Sequence, residues 1–444
     1  MSMQRRENER QDDLWIAANQ VVVTPGNPFY NRLNTILMKK GFDPFVESLC
    51  EKFYVEGKGR PGIEPGVYFR MLLIGYMEGI DSERGIAWRC ADSLGLREFL
   101  GFTLTKATPD HSSLSVIRRR LDLATHGEVF KWVLKVLAEE GLIKGKTIGV
   151  DATTLEANAA MRSIVRRDTG EGYNEFLTKL AKASGIEDPQ REDLAKLDRK
   201  RPKKGSNKEW EHPHDPDARI TKMKDGRTHL AHKAEHAVDM ETGAVVAVTM
   251  QGADKGDTQT LMDTLAHVAE NLSDLPLKAQ PLQEVVADKG YHCNESASAL
   301  AELGVRSYLS EPDRGRRKWE GKDAEQQAVY ANRRRIQGDR GKRLLRRRGE
   351  LVERPFAHCY ETGAMRRTHL RGQENILKRV LVHVAGCNLG LLMRRNFGFG
   401  TPRGLSGLLS SLLSIKFRIH DVSQRLWQPF CRPQNVFRPI LAAA

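Results

Sequence analysis

Three acidic residues stand where an apolar run ends or a basic helix passes: Asp151 after ThrIleGlyVal, Asp288 after ValValAla, and Glu353 within LeuValGluArg. Hard divalent cations take oxygen ligands and keep positions open for water and phosphate. Three carboxylates could therefore hold two such ions and cut a phosphodiester between them without a protein nucleophile. Taken singly, an Asp at the end of an apolar run is as readily a turn or cap residue. Asp151 and Asp288 gain weight as a pair. Both end strand-like runs rich in Val and Ile, which would set them side by side at one edge of a sheet, where two like charges need a cation. Glu353 comes from a helical pattern, ArgArgArgGlyGluLeuValGluArgProPheAlaHis, in which Val352 and Phe356 can fasten it to the core. Glu350, one turn earlier, is its rival.

The 444 residues suffice for two or three domains, and 71 Lys and Arg against 57 Asp and Glu leave a net charge of +14. An excess of that size favours polyanions. It is concentrated at 314–348, where 14 basic residues face 4 acidic ones. The triplets Arg333, Arg334, Arg335 and Arg346, Arg347, Arg348 have too few compensating acids for an ordinary solvated face and read as a phosphate-facing surface. No stretch reaches the roughly 18 apolar residues of a membrane span, and the first ten residues lack a signal-peptide core, so the expected location is the cytoplasm. The six cysteines are scattered, with no CxxC pair, and read as reduced, mainly core residues. HisProHisAspProAsp (212–217) reads as a turn-forming loop before it reads as a metal cluster. His229, His232 and His236 are spread over both faces of a predicted strand. No Gly-rich phosphate loop implies ATP, and no Ser or Cys nucleophile constellation stands out.

The elements that must position the acids follow from periodicity. Residues 30–140 read as helical, with a buried helix at 67–77, two short helices broken near Gly95 within 82–101, and one helix running from a cap at 108–114 to about 139. The pair at 82–101 could be a helix-turn-helix or an ordinary hairpin. From residue 146 the pattern becomes strand, hairpin (228–250, turn at 241–243), helix (258–271), strand, helix (295–303), strand. That is the order of a mixed sheet flanked by helices, with Asp151 and Asp288 expected to end its first and fourth strands. Residues 162–218 interrupt it as a charged insert, with Tyr173, Phe176, Leu177 and Leu180 forming one weak apolar face. The tail from 396 is punctuated by Gly and Pro.

The blocks ValAspAlaThrThrLeuGluAlaAsn (150–158), AlaAspLysGlyTyr (287–291), GluArgProPheAlaHis (353–358) and GlyAlaMetArgArgThrHisLeuArgGly (363–372) resemble those of bacterial insertion-sequence transposases of the DDE class. The run at 65–84 is similar to the helical leader of the same group, and the resemblance spans roughly residues 25–405. It implies an all-α N-terminal domain (1–140) for DNA binding and assembly, an RNase H-like α/β catalytic domain (141–395) and a tail (396–444). It also implies that Asp151, Asp288 and Glu353 are the catalytic, metal-holding acids, with Mg²⁺ as cofactor and Mn²⁺ as substitute. The substrate would be double-stranded DNA, the terminal inverted repeats and then a target, bound by a homo-oligomer, a dimer, at the nucleoid. Arg366, Arg367 and Arg371 would join the two triplets in holding phosphates. One departure is plain: seven residues past Glu353 stands Tyr360 where the family's best-known pattern has Lys, so that lysine's role is not carried over. A structure-selective nuclease of the same fold and a non-catalytic DNA-binding derivative are the rival readings.

Overall fold

In a computed structural model the described residues are 27–54, 62–201, 205–223, 225–313, 315 and 317–405. Arg314, Arg316, Cys431 and the tail from 406 lie outside them. The N-terminal part is helical, as expected: α1 (Pro28–Lys39), α2 (Phe42–Cys50), α3 (Pro65–Glu78), α4 (Glu83–Asp92), α5 (Leu94–Phe99), α6 (His111–Arg120) and α7 (Leu123–Glu139). α3 opens on Pro65 and ends at Gly79 in the left-handed region, and 12 of its 14 residues are buried, which makes it the inner helix of the bundle. Two boundaries differ from expectation, both because a side chain caps a new helix. The single helix expected from 108 to 139 is two: Leu121 is extended, and the Asp122 carboxylate accepts the Thr125 N–H at 2.7 Å. The break within 82–101 falls at Ser93, whose hydroxyl accepts the Leu96 N–H at 3.3 Å, and Gly95 lies inside α5.

The α/β part continues with β1 (Thr147–Glu156), β2 (Val165–Arg166), α8 (Tyr173–Ala183), α9 (Arg191–Lys200), β3 (Trp210–Glu211), β4 (Arg219–Lys222), β5 (Thr228–Asp239), β6 (Val245–Gly252), α10 (Asp257–Ser273) and β7 (Glu284–Ala287). It ends with α11 (Asn294–Glu302), β8 (Arg306–Leu309), α12 (Asp323–Gln337), α13 (Asp339–Phe356) and α14 (Gln373–Phe397). One sheet runs β4-β5-β1-β7-β8, with β6 also paired to β5. β5 is antiparallel to β1, β4 and β6, while β1, β7 and β8 are mutually parallel. This is the mixed sheet with flanking helices expected of an RNase H-like domain.

Successive strand residues point to opposite faces. On one face His236, opposite Asp151 in the β1–β5 register, packs against Phe356 at the end of α13. On the other, Glu235 accepts hydrogen bonds from Thr260 and Thr264 of α10. α13 and α10 therefore sandwich the sheet. Gly149 lets α13 close on β1, since a Cβ there would stand 2.8 Å from Val352 Cγ2.

On each side of the sheet a buried asparagine imitates a strand at the edge, at β6 and at β8. Asn388 of α14 accepts from Val245 N at 2.9 Å and donates to Val245 O at 2.8 Å; Asn332 of α12 does the same to Leu309 N and O at 2.9 Å each. α14 is long and apolar enough to cross a membrane by length and composition, but most of that stretch is buried in protein, against α7, α3 and β6. One apolar core runs from Phe29 to Leu405 through both parts of the chain.

The insert has a small core of its own, in which Trp210 meets Tyr173 and Phe176 edge-on at 4.9 and 5.3 Å and Leu177 is buried. Its HisProHisAspProAsp loop is a lock. Asp215, fully buried, accepts from His232 Nε2 at 3.2 Å and from Gly372 N at 3.1 Å, and Asp217 accepts from Gln373 N at 3.0 Å. Two carboxylates thus cap the N-terminus of α14, where its dipole favours negative charge. Cys50, Cys90, Cys359 and Cys387 are buried, as core cysteines should be, and Cys293 caps α11.

Candidate active site

β1 and β7 run parallel with Thr147 opposite Glu284, Ile148 opposite Val285 and Gly149 opposite Val286. Two residues further along each strand stand Asp151 and Asp288, on strands about 5 Å apart. Asp151 does not end its strand, as the sequence suggested: β1 runs on to Glu156, because β5 pairs with it through the whole length. Asp288 directly follows β7, as expected. Beyond this point the β7 edge of β1 is taken up again only at Glu156, which bonds to Arg366 O and Thr368 N at 3.1 and 2.9 Å. Between the two pairings, from Ala152 to Leu155, no described strand covers that edge. This gap in the pairing is a notch in the sheet, with Asp151 and Asp288 near its start and Arg366 and Arg367 at its far end.

Each aspartate is fixed by a backbone N–H, Asp151 Oδ1 by Ala152 at 2.8 Å and Asp288 Oδ1 by Gly290 at 2.7 Å. Asp151 Oδ2 accepts from Arg348 Nη1 of α13 at 2.9 Å. Burial raises the Asp151 carboxyl above its usual range, Arg348 and the Ala152 N–H draw it back, and the Asp288 charge adds to the rise. Glu353 is exposed, and its side chain makes no hydrogen bond or ion pair among the described residues. On α13 one flank carries Arg347, which donates to Glu241 O, and Leu351, beside Gly243; both face the β5–β6 turn. Helical spacing puts Glu353 on the opposite flank, the side of β7. Glu350 is tied to Arg354 at 2.5 Å and points to solvent.

A fourth acid went unseen in the sequence. Asp257 opens α10, and a Cβ on Gly290 would stand 2.5 Å from Asp257 Oδ2 and 3.0 Å from Asp288 Oδ1, so the two carboxylates crowd one glycine. Lys233, buried, donates to Asp257 Oδ1 at 2.6 Å and neutralises it. The next residue, Tyr291, is wholly buried and donates to Glu235 at 2.7 Å, which pins the turn that carries Asp288. Only the fold joins α10 to that turn, so no spacing could have announced Asp257.

Tyr360, in the place of the family's lysine, lies in a π-helical turn after α13. It is buried and shares a 2.6 Å hydrogen bond with His236, whose imidazole burial pushes down to about 3 and so keeps neutral.

The nine arginines divide. Arg333 makes a two-point bond to Glu311, Arg335 holds the Ser307 carbonyl and hydroxyl at 2.9 Å each, Arg348 holds Asp151, and Arg366 is bonded to Glu361 and to Thr153 Oγ1. Arg334 and Arg346 are exposed and without such partners among the described residues. Arg347, Arg367 and Arg371 are exposed: Arg347 donates to Glu241 O at 3.2 Å, Arg371 to Asn158 O at 3.4 Å, and Arg367 stands 3.9 Å from Glu156.

An all-oxygen set suits a hard cation such as Mg²⁺, and a cation, the Arg348 guanidinium, already sits on Asp151. As the side chains stand, no three acids, histidines or cysteines among the described residues are close enough to share one ion.

Two family models match the chain in the order the fold presents them. A transposase domain, DUF772, matches residues 21–120, and the transposase DDE domain matches residues 197–389. Asp288 and Glu353 lie inside the second match, and Asp151 between the two. A comparison with curated proteins gives no match. With a helical leader and a DDE domain both matched, the chain belongs to the insertion-sequence transposases of the DDE class.

Proposed function

We propose that this transposase binds the ends of an insertion sequence as double-stranded DNA, cleaves them and joins them to target DNA, with Asp151, Asp288 and Glu353 holding Mg²⁺ or, in its place, Mn²⁺. When bound there, the ions supply activation of a water or a DNA 3′-hydroxyl and stabilisation of the leaving oxygen. The observation that supports the reading is the parallel register of β1 and β7, which ends at Gly149 and Val286, two residues before Asp151 and Asp288. Their carboxylates are held by the Ala152 and Gly290 N–H groups, so little rotamer freedom is lost when they take up a ligand. Glu353, free on the flank of α13, completes the set from the other side of the notch.

Phosphates are held by the exposed Arg334, Arg346, Arg347, Arg367 and Arg371, which supply affinity without reading sequence. Arg333, Arg335 and Arg366 brace the elements that carry them. The helical region, 1–140, recognises the inverted repeats and assembles a homodimer on DNA, residues 141–395 carry the chemistry, and the enzyme works in the cytoplasm at the nucleoid.

The test uses the purified full chain, Mg²⁺ and a duplex bearing the element end. Cleavage followed by joining to a target plasmid is the expected result. Cleavage without joining would favour a structure-selective nuclease, and binding without cleavage a non-catalytic derivative.

A further inference from the structure

Arg348 occupies an odd place for an arginine. On α13 it lies in the stripe that faces the sheet, with Leu344 and Val352 one turn to either side, both buried. Its two predecessors, Arg346 and Arg347, are exposed, whereas its side chain is only 14% exposed. A guanidinium is placed among apolar neighbours when an acid needs it, and here that acid is Asp151, at 2.9 Å from Nη1.

We infer that Arg348 is an internal counter-cation that neutralises Asp151 until divalent ions load, and that loading displaces it toward the DNA phosphates in the notch. The inference rests on the reading of Asp151 as a metal ligand. Asp151 is half-buried and feels the charge of Asp288 from the neighbouring strand, so its own charge must be compensated in the metal-free chain. A single positive charge on a long stem does this at hydrogen-bond distance. A divalent ion carries twice the charge and approaches a carboxylate oxygen to about 2.1 Å, so it wins the contest at sufficient concentration. Arginine suits the exchange because it is weakly hydrated and forks readily onto phosphate once freed. Ion loading would thus deliver a phosphate ligand to the reaction centre in the same step.

The test is binding of Mn²⁺ alone, without DNA, to the full chain at pH 8, read by the loss of the free-ion electron paramagnetic resonance signal. Arg348→Gln should bind Mn²⁺ roughly three- to tenfold more tightly than wild type, the scale of a competing, partly buried ion pair. In an Asp151→Asn background the same substitution should change nothing. A structural role for Arg348 would weaken metal binding instead of tightening it. Arg348→Lys keeps the charge, should bind Mn²⁺ close to wild type, and guards against a Gln variant that does not fold. Unchanged or weaker binding in Arg348→Gln, with Asp151→Asn clearly weakened, would overturn this inference and leave the ligand assignment standing. Unchanged binding in Asp151→Asn would overturn both.

Discussion

Asp151 and Glu353 stand in opposite electrostatic situations: the first is half-buried and paired, the second exposed and free. The arginines show the same contrast, and it yields a prediction. Removing Arg333 or Arg335 should cost about 1–2 kcal/mol of stability, since one clamps Glu311 and the other a strand carbonyl. Arg334→Ala and Arg346→Ala should stay within about 0.5 kcal/mol of wild type, yet each should weaken DNA binding for every sequence and lower the salt slope by about one. Urea unfolding and salt titration of duplex binding separate the two groups; a strong stability loss at Arg346 would contradict the division. The three acids proposed as the site were legible as candidates, since each closes or follows an apolar run. The partners of Arg348 and the crowding of Asp257 on Gly290 were not, because they depend on which elements the fold brings together.

The elements were legible where periodicity alone decides, as in α3, α10 and the β5–β6 hairpin. They were misread where a single capping side chain decides, at Asp122 and Ser93, and where a neighbour extends a strand, as β5 does to β1. The asparagine seals lie wholly outside what a local pattern can tell, and they should be costly to lose. Asn388→Ala and Asn332→Ala each strand a buried N–H and C=O, an expected loss of about 2–4 kcal/mol by urea unfolding. Asn271→Ala, which gives up one bond to Val246 O, should cost about 1 kcal/mol. Buried histidines set a pH dependence. Burial lowers His126 to about 4 and His236 to about 3, from an ordinary 6.5. Between about 6.5 and 4 the unfolded chain therefore takes up protons that the folded chain refuses, and stability falls as pH falls, by up to about 1.4 kcal/mol per unit for each histidine. Urea midpoints from pH 7 to 5 should show this decline, less steep in His126→Asn; a flat profile would contradict it.

At the scale of the whole molecule, α14 decides the architecture. It packs on α7 and α3 as well as β6, and Lys378 and Arg379 donate to the Arg118 and Ile80 carbonyls of the helical part. The apolar core is continuous across residue 140, where the helical part meets the α/β part. A fragment beginning at 141 should expose the face of α14 that the helices cover and lose cooperative unfolding, as near-ultraviolet circular dichroism would register. This helix, shared by the helical and α/β parts, also reaches the neighbourhood of the candidate site. Its N-terminus is capped by the insert's Asp215 and Asp217 and follows the Arg366–Arg371 segment at the notch. The measurement that bears most directly on the central claim is cleavage and strand transfer of element-end DNA in Mg²⁺ by Asp151→Asn, Asp288→Asn, Glu353→Gln and, as control, Glu350→Gln. All four should fold and bind the ends. The first three should lose both steps by on the order of 10³-fold while Glu350→Gln retains them; activity in all four would contradict the assignment of the site.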